Sequence, residues 1–240
     1  MRWLRIAKAF GIVALPAALV FRQPDLGTML VFGFVTVAML FAAGTTVRQL
    51  GLLLLLALIA LVVAFELDIL QEYQLDRITG FLNSGDQTLG INYNQNQSQI
   101  TIGNGGLFGR GLFEGTQTNL AFVPAQTTDF IFTAVGEQLG FIGGVALLGM
   151  FLVVVWRLLI IAGSARDGFG RMVAVGTASM IGFHVFVNVG MAIGLMPVTG
   201  LPLPFMSAGG SFYLAMALGV GLSHAIWLRR SRVPGERHLI

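Results

Sequence analysis

Six apolar runs divide this sequence, near residues 6–21, 26–43, 50–66, 136–162, 172–195 and 210–228. Each approaches the roughly 20 residues that a helix needs to cross hydrocarbon. Backbone polar groups cannot go unpaired in lipid, so only helices or closed barrels span it. The runs do not alternate with period two, which sets a barrel aside. The expected fold is therefore all-α: a polytopic transmembrane helical bundle with six spans. Composition agrees, since only 10% of residues are charged and mean hydropathy is +0.82, whereas soluble domains carry roughly 25% charge. The chain has no cysteine, which removes disulfides, thiolate nucleophiles and thiolate metal sites. The first run leads into further spans with no small-residue cleavage site, so it reads as a span and not a cleaved signal.

Basic residues orient such a bundle. Arg2, Arg5 and Lys8 precede the first run, and Arg48 lies between the second and third. Arg157, Arg166 and Arg171 bracket the link between the fourth and fifth, and Arg229, Arg230, Arg232 and Arg237 follow the sixth. With six spans all four groups fall on one side, the cytoplasmic one, and both termini lie there. The net charge of +3 is small, and no nucleic-acid partner is expected. Residues 1–240 read as a single integral membrane domain. Facing outward are the Arg22–Asp25 turn, a long extracytoplasmic loop over 67–128, and Met196–Phe205. Connections beyond about 15 residues usually carry function.

That loop opens with Glu66, Asp68, Glu72, Asp76 and Arg77, passes through an Asn/Gln-rich stretch at 92–98, and then places glycines 103, 105, 106, 109, 111 and 115 around Arg110. Two readings stay open. Exposed backbone N–H groups in such turns can cradle an anion, or the glycines supply only the tight turns of a re-entrant loop. No Walker pattern follows.

The stretch TTDFIFTAVGEQLG, residues 127–140, enters the fourth run carrying two acids, Asp129 and Glu137. Thr127 or Thr128 would cap a helix beginning near Asp129, where the helix dipole favours an acid. Asp129, Thr133 and Glu137 would then share one face, and such a stripe should line a wet cavity. From residue 129 to residue 137 a helix rises about 12 Å. Carboxyl pairs that act on one glycosidic bond sit about 5–9.5 Å apart. One acid, the outer Asp129, is thus the candidate base, and the deeper Glu137 reads as support through an interhelical bond. His184 and Asn188, four apart, supply too few ligands for a metal and suit interhelical hydrogen bonding. Gly140 with Gly144, and Gly190 with Gly194, have the spacing of close helix contacts.

Several short motifs occur in order: Gln23-Pro24-Asp25-Leu26-Gly27-Thr28, Gly115-Thr116-Gln117, Thr128-Asp129-Phe130-Ile131-Phe132, Gly136-Glu137, and Gly200-Leu201-Pro202-Leu203-Pro204-Phe205-Met206-Ser207 followed by Gly209-Gly210-Ser211. Together they resemble the SEDS family (shape, elongation, division, sporulation), which includes RodA, FtsW and SpoVE, and the proline-rich run looks more like RodA than FtsW. The resemblance runs from about residue 9 to residue 230. It implies ten spans in the family, of which these six match the last six, so four spans and an upstream Pro-Ser-Glu…Lys motif are expected to be missing here.

The resemblance further implies a peptidoglycan glycosyltransferase of the bacterial cytoplasmic membrane. Such an enzyme polymerises lipid II into glycan strands on the outer face, beside a class B penicillin-binding protein that crosslinks them. The family's essential acid falls on Asp129. Arg110, Gln117, Thr128, Glu137 and Ser207 are the candidate substrate-binding residues, Glu137 carrying this reading beside the structural one. A divalent cation would suit a pyrophosphate leaving group, although no ligand set is evident. A lipid II flippase and a noncatalytic scaffold for the transpeptidase are the alternatives. Three positions depart from the family pattern: Thr127 stands where His is frequent, Gln138 where a second Glu is usual, and Ala208 where Tyr is usual.

Overall fold

The computed structural model describes residues 3–23, 25–66, 90–120 and 122–230. Among them there are eight helices: α1 (Trp3–Arg22), α2 (Leu26–Ala42), α3 (Val47–Glu66), α4 (Gly90–Gly105), α5 (Thr116–Asn119), α6 (Ile131–Ser164), α7 (Gly168–Ala192) and α8 (Gly210–Arg229). No described residue is in a strand. The six expected spans correspond to α1, α2, α3, α6, α7 and α8. Asp25 caps α2, its carboxylate accepting from the Thr28 backbone N–H at 2.9 Å. Asp167 caps α7 through the Gly170 N–H at 2.6 Å. Both follow the preference for a short acid at a helix start.

α7 is the axis of the bundle and packs on α2, α4, α6 and α8. Of its apolar window 44% is buried, against 17% for α6 and 11% for α8. Those two helices therefore turn most of their apolar surface outward, as lipid-facing spans do. The main core joins Phe132, Phe151 and Leu158 of α6 to Ala178, Ile181 and Val189 of α7 and Met216 of α8. Phe34 of α2 stacks on Phe183 of α7, with ring centroids 4.7 Å apart. A second cluster ties Ile6, Leu40 and Leu50, at the N-terminus of α1, the C-terminus of α2 and the N-terminus of α3. Packing of this kind fixes the two ends of the bundle. Lys8, Arg48, Arg166, Arg171, Arg229 and Arg230 gather at one end. The connections 106–130 and 193–209 gather at the other.

The expected loop 67–128 contains two helices among the described residues, α4 and the short α5. The Asn/Gln-rich stretch lies inside α4, whose mean polarity hides it from a hydropathy reading. Its polar residues work as caps. Gln95 donates to the carbonyls of Met191 (3.1 Å) and Met196 (2.7 Å), Ser98 donates to Ala192 (2.7 Å) and Gln99 to Ile193 (3.4 Å). Three of these carbonyls lie at the C-terminal end of α7 and the fourth, Met196, in the connection just after it, where helix carbonyls run out of intrahelical donors. Residues 67–89, including Asp68, Glu72, Asp76 and Arg77, lie outside the described residues.

α6 breaks at Gly140, where φ is 68° and ψ −168°. The bend is sharp enough for the Phe132 ring to come within 3.4 Å of a Cβ built on Gly144. The turn at 106–111 splints the break. Phe141 and Ile142 donate their N–H groups to the carbonyls of Gly106 (2.9 Å) and Leu107 (3.2 Å). In return Arg110 and Gly111 donate to the carbonyls of Glu137 (2.9 Å) and Gln138 (3.1 Å). Four groups released by the bend thus find partners, as irregular backbone at membrane depth requires. The paired glycines accordingly do not serve as helix contacts. Gly140 makes the break, and Gly194 sits beyond α7 at φ +82°, against Gln99. Gly105 permits the approach of α4 to α6, since a Cβ there would lie 1.9 Å from the Gly136 carbonyl oxygen. Gly105→Ala is expected to destabilise the protein by about 1–3 kcal/mol, measured as thermal unfolding in detergent micelles.

Candidate active site

Two acids mark the end of the bundle where the long connections meet, and the fold treats them oppositely. Asp129 is not in a helical first turn. It closes a run of turns over 124–129, and α6 starts at Ile131 with Phe130 as its N-cap and no side-chain capping bond. Neither threonine caps the helix: the Thr128 hydroxyl donates instead to the Ala125 carbonyl at 3.1 Å. That carbonyl also accepts from the Asp129 N–H at 3.0 Å, and Ala125 holds φ +52°. Local turn closure thus outcompetes capping here.

The backbone around Asp129 is held from two sides. Asn188 of α7, fully buried, donates its amide to the carbonyls of Asp129 and Leu201, both at 2.7 Å. Ser207 donates to the Thr128 carbonyl at 2.5 Å while accepting from the Leu203 N–H at 2.8 Å. The Ala208 N–H donates to the Thr127 carbonyl at 2.9 Å. One turn before Asn188, His184 meets the Pro202 carbonyl at 3.1 Å. A carbonyl only accepts, so Nδ1 carries the proton. His184 and Asn188 therefore bind loop carbonyls and not another helix. The expectation of interhelical bonds is corrected because the 199–207 connection folds down onto α7. Gly200 faces Asp129 closely, its hypothetical Cβ lying 3.6 Å from Oδ2. Ala125 and Phe205 hold positive φ, and such strain in a residue other than glycine persists only where the surroundings over-determine it.

The Asp129 carboxylate itself is left half-buried. Among the described residues no side-chain hydrogen bond or ion pair engages it.

Glu137 is the reverse case. It is fully buried, and its carboxylate accepts from Asn104 Nδ2 (2.9 Å), the Gln117 N–H (2.9 Å), the Thr118 N–H (2.8 Å) and the Thr118 hydroxyl (2.6 Å). These donors carry α4 and α5, so the acid staples both onto α6. Thr133 is also fully buried and accepts from Gln126 Nε2 at 2.8 Å. The expected stripe of Asp129, Thr133 and Glu137 along a wet cavity is thus corrected. Asp129 lies outside the helix, and the other two side chains are spent on the chain's own polar groups.

Arg110 and Gln117 line a polar groove of about 650 Å³ with Gly103, Asn104, Gly106 and Gly109. The Arg110 guanidinium is exposed and donates to the Asn104 carbonyl (2.8 Å) and Asn104 Oδ1 (2.7 Å). Asp129, Thr128 and Ser207 are not in this lining. The candidate residues form two groups: Arg110 and Gln117 with Glu137 beneath them, and Asp129 with Thr128 and Ser207. Gln126 links the two, reaching Thr118 at 3.4 Å and Thr133 at 2.8 Å. Asn104 and Gln126 went unnoticed in the sequence; nothing separates them from other amides of a polar loop. Among the described residues no group of three or more His, Asp or Glu is placed to hold a metal ion.

Removing the amide tests the clamp on Asp129. Asn188→Leu keeps the branched shape of the side chain but strips the Asp129 and Leu201 carbonyls of their donor. The expected cost is about 1–3 kcal/mol for each carbonyl, read as a lowered thermal midpoint.

These features define an all-helical, multi-pass membrane protein with a half-buried acid on a braced turn. The family model for FtsW, RodA and SpoVE cell cycle proteins matches residues 1–231, and the chain belongs to that family. It is 37% identical over 222 residues to "Peptidoglycan glycosyltransferase MrdB" of Escherichia coli, covering 92% of this chain and 60% of that protein. Identity to "Stage V sporulation protein E" of Bacillus subtilis is 41% over 217 residues, covering 89% and 57%. This chain therefore spans about 60% of the length of such relatives. The fold is similar to that of the crystal structure of Thermus thermophilus rod shape determining protein RodA, with TM-score 0.60, 30% identity, and 94% and 58% coverage. It is also similar to a chain from the structure "Structural coordination of polymerization and crosslinking by a peptidoglycan synthase complex", with TM-score 0.73, 32% identity, and 93% and 63% coverage.

Proposed function

We propose that this chain carries the catalytic half of a peptidoglycan glycosyltransferase that polymerises lipid II, serving cell shape. One observation carries the reading: of two acids at the same end of the bundle, Glu137 is saturated with donors while Asp129 is free and half-exposed on a backbone pinned by Asn188 and Ser207. A general base needs an available lone pair and a fixed position. Asp129 removes the proton from the 4-hydroxyl of one lipid-linked disaccharide. That oxygen bonds to the anomeric carbon of the other substrate, and the bond from that carbon to the pyrophosphate oxygen breaks. Undecaprenyl pyrophosphate leaves with the electron pair, and the proton stays on Asp129. Thr128, whose hydroxyl donates to Ala125, keeps lone pairs for a sugar hydroxyl. Ser207 contributes by holding the Asp129 turn. Arg110 has N–H groups left after binding Asn104. With Gln117 and the glycine-rich backbone it would steady the departing phosphates, and Glu137 fixes the Gln117 segment that faces them. The charge bias of the sequence supports an orientation in a bacterial membrane with the arginine-rich end and both termini in the cytoplasm and the site on the outer face. A class B penicillin-binding protein is the partner that would crosslink the product, a reading supported by the similarity to a chain of a peptidoglycan synthase complex.

The test uses purified protein in vesicles with labelled lipid II. Glycan polymer supports the proposal. Movement of lipid II between leaflets without polymer makes the protein a flippase, and binding to the transpeptidase with neither activity makes it a scaffold.

A further inference from the structure

The turn that splints α6 contains a short tandem repeat, Gly106-Leu107-Phe108 and Gly111-Leu112-Phe113, on either side of Arg110. Its four large apolar side chains point away from the protein: Leu107 is 63% exposed, Phe108 81%, Leu112 62% and Phe113 82%. Phe113 adopts φ +66°, uncommon for an aromatic residue, with its N–H donating to Gln138 Oε1 (3.3 Å) and its carbonyl accepting from Asn119 Nδ2 (2.7 Å), which leaves the ring turned outward. An exposed apolar patch of this kind marks an interaction surface.

The depth of the turn identifies what covers it. The carbonyls of Gly106 and Leu107 accept from Phe141 and Ile142. Residues 139–156 of α6 contain no polar side chain and end at Arg157. Arg157 lies 5.8 Å from the Trp227 ring, a charge–aromatic pairing suited to the far membrane interface. From Arg157 back to Phe141 the helix rises about 24 Å, inside a hydrocarbon slab of about 30 Å. The turn is therefore bonded to α6 at the near edge of the slab. Leu139, Phe141 and Ile142 beside it are 41%, 65% and 54% exposed, so the patch continues the lipid-facing surface of the span. We propose that the two Gly-Leu-Phe turns form an interfacial wedge, with Leu107, Phe108, Leu112 and Phe113 entering the acyl region of the leaflet at that end of α6. Leu and Phe are side chains that interfacial segments bury at this depth. The wedge would hold Arg110, between its two halves, at the level of lipid phosphates. It depends on the membrane fold and not on the reaction, so it can fail while the proposed activity stands.

The absence of cysteine allows a direct measurement. Phe108→Cys and Phe113→Cys, each spin-labelled, are placed in nanodiscs of phosphatidylethanolamine and phosphatidylglycerol without other proteins. Collisions with oxygen and with a water-soluble nickel chelate are compared. Met150→Cys, at a 61% exposed position within α6, serves as the lipid reference, and Thr127→Cys as the water reference. Oxygen should dominate at 108 and 113, as at 150. Nickel dominating at both, as at 127, would overturn the wedge, as would shielding that appears only after a partner protein is added. The unaltered chain supplies a second readout. A phospholipid with a photoactivatable group high on its acyl chain should label residues 106–113, and labelling confined to helical peptides would also overturn the proposal.

Discussion

Asp129→Asn is expected to lower the rate of glycan polymerisation by about 10²–10⁴-fold, the usual contribution of a positioned base. The loss should fall on kcat and leave KM for lipid II nearly unchanged, because the amide keeps the size and position of the side chain and removes only its basicity. The fold should survive. No described residue donates a hydrogen bond to this carboxylate, whereas the Asp129 carbonyl, which Asn188 does hold at 2.7 Å, is untouched by the substitution. Steady-state kinetics alongside thermal unfolding separates the two effects. A parallel fall in midpoint and rate would place Asp129 among the structural groups.

Glu137 should show the opposite pattern. Glu137→Ala leaves Asn104 Nδ2, two backbone N–H groups and the Thr118 hydroxyl without their acceptor. Each donor left inside the protein without its acceptor costs about 1–3 kcal/mol. Glu137→Gln should recover little of this. One carboxylate oxygen accepts from the Gln117 N–H and the other from the Thr118 N–H, so either orientation of the amide turns its NH₂ toward an N–H. Both variants should lower the thermal midpoint and expose residues 106–120 to protease. A stable, protease-resistant Glu137→Ala would show that the staple does not hold α4 and α5 in place.

The spans were legible because lipid leaves a chain few options. Apolar length and arginine placement located all six helices, and the contacts of Ile6, Leu40 and Leu50 bring three of their cytoplasm-assigned ends together. Asp129 was legible as distinct from Glu137 through helix rise alone, although not its true setting. The capping rule gave the wrong start for α6, because Ala125 at φ +52° offers Thr128 and Asp129 a tighter local partner. The break at Gly140 was invisible to periodicity, since what stabilises it is an exchange of backbone bonds with residues 106–111. Those partners lie some thirty residues away and carry no side-chain signature. α4 was missed for a related reason: its Gln95 and Ser98 are buried not by hydrophobicity but by hydrogen bonds to carbonyls at and just beyond the end of α7. Such donors and acceptors become readable only once the chain is folded.

The account rests on a base acting in the reaction and not in binding. Binding of labelled lipid II and growth of glycan should therefore be measured on one preparation of Asp129→Asn in bilayers, beside the unaltered protein. The account predicts that binding is retained and the polymer ladder is absent. A ladder growing at the unaltered rate would contradict it.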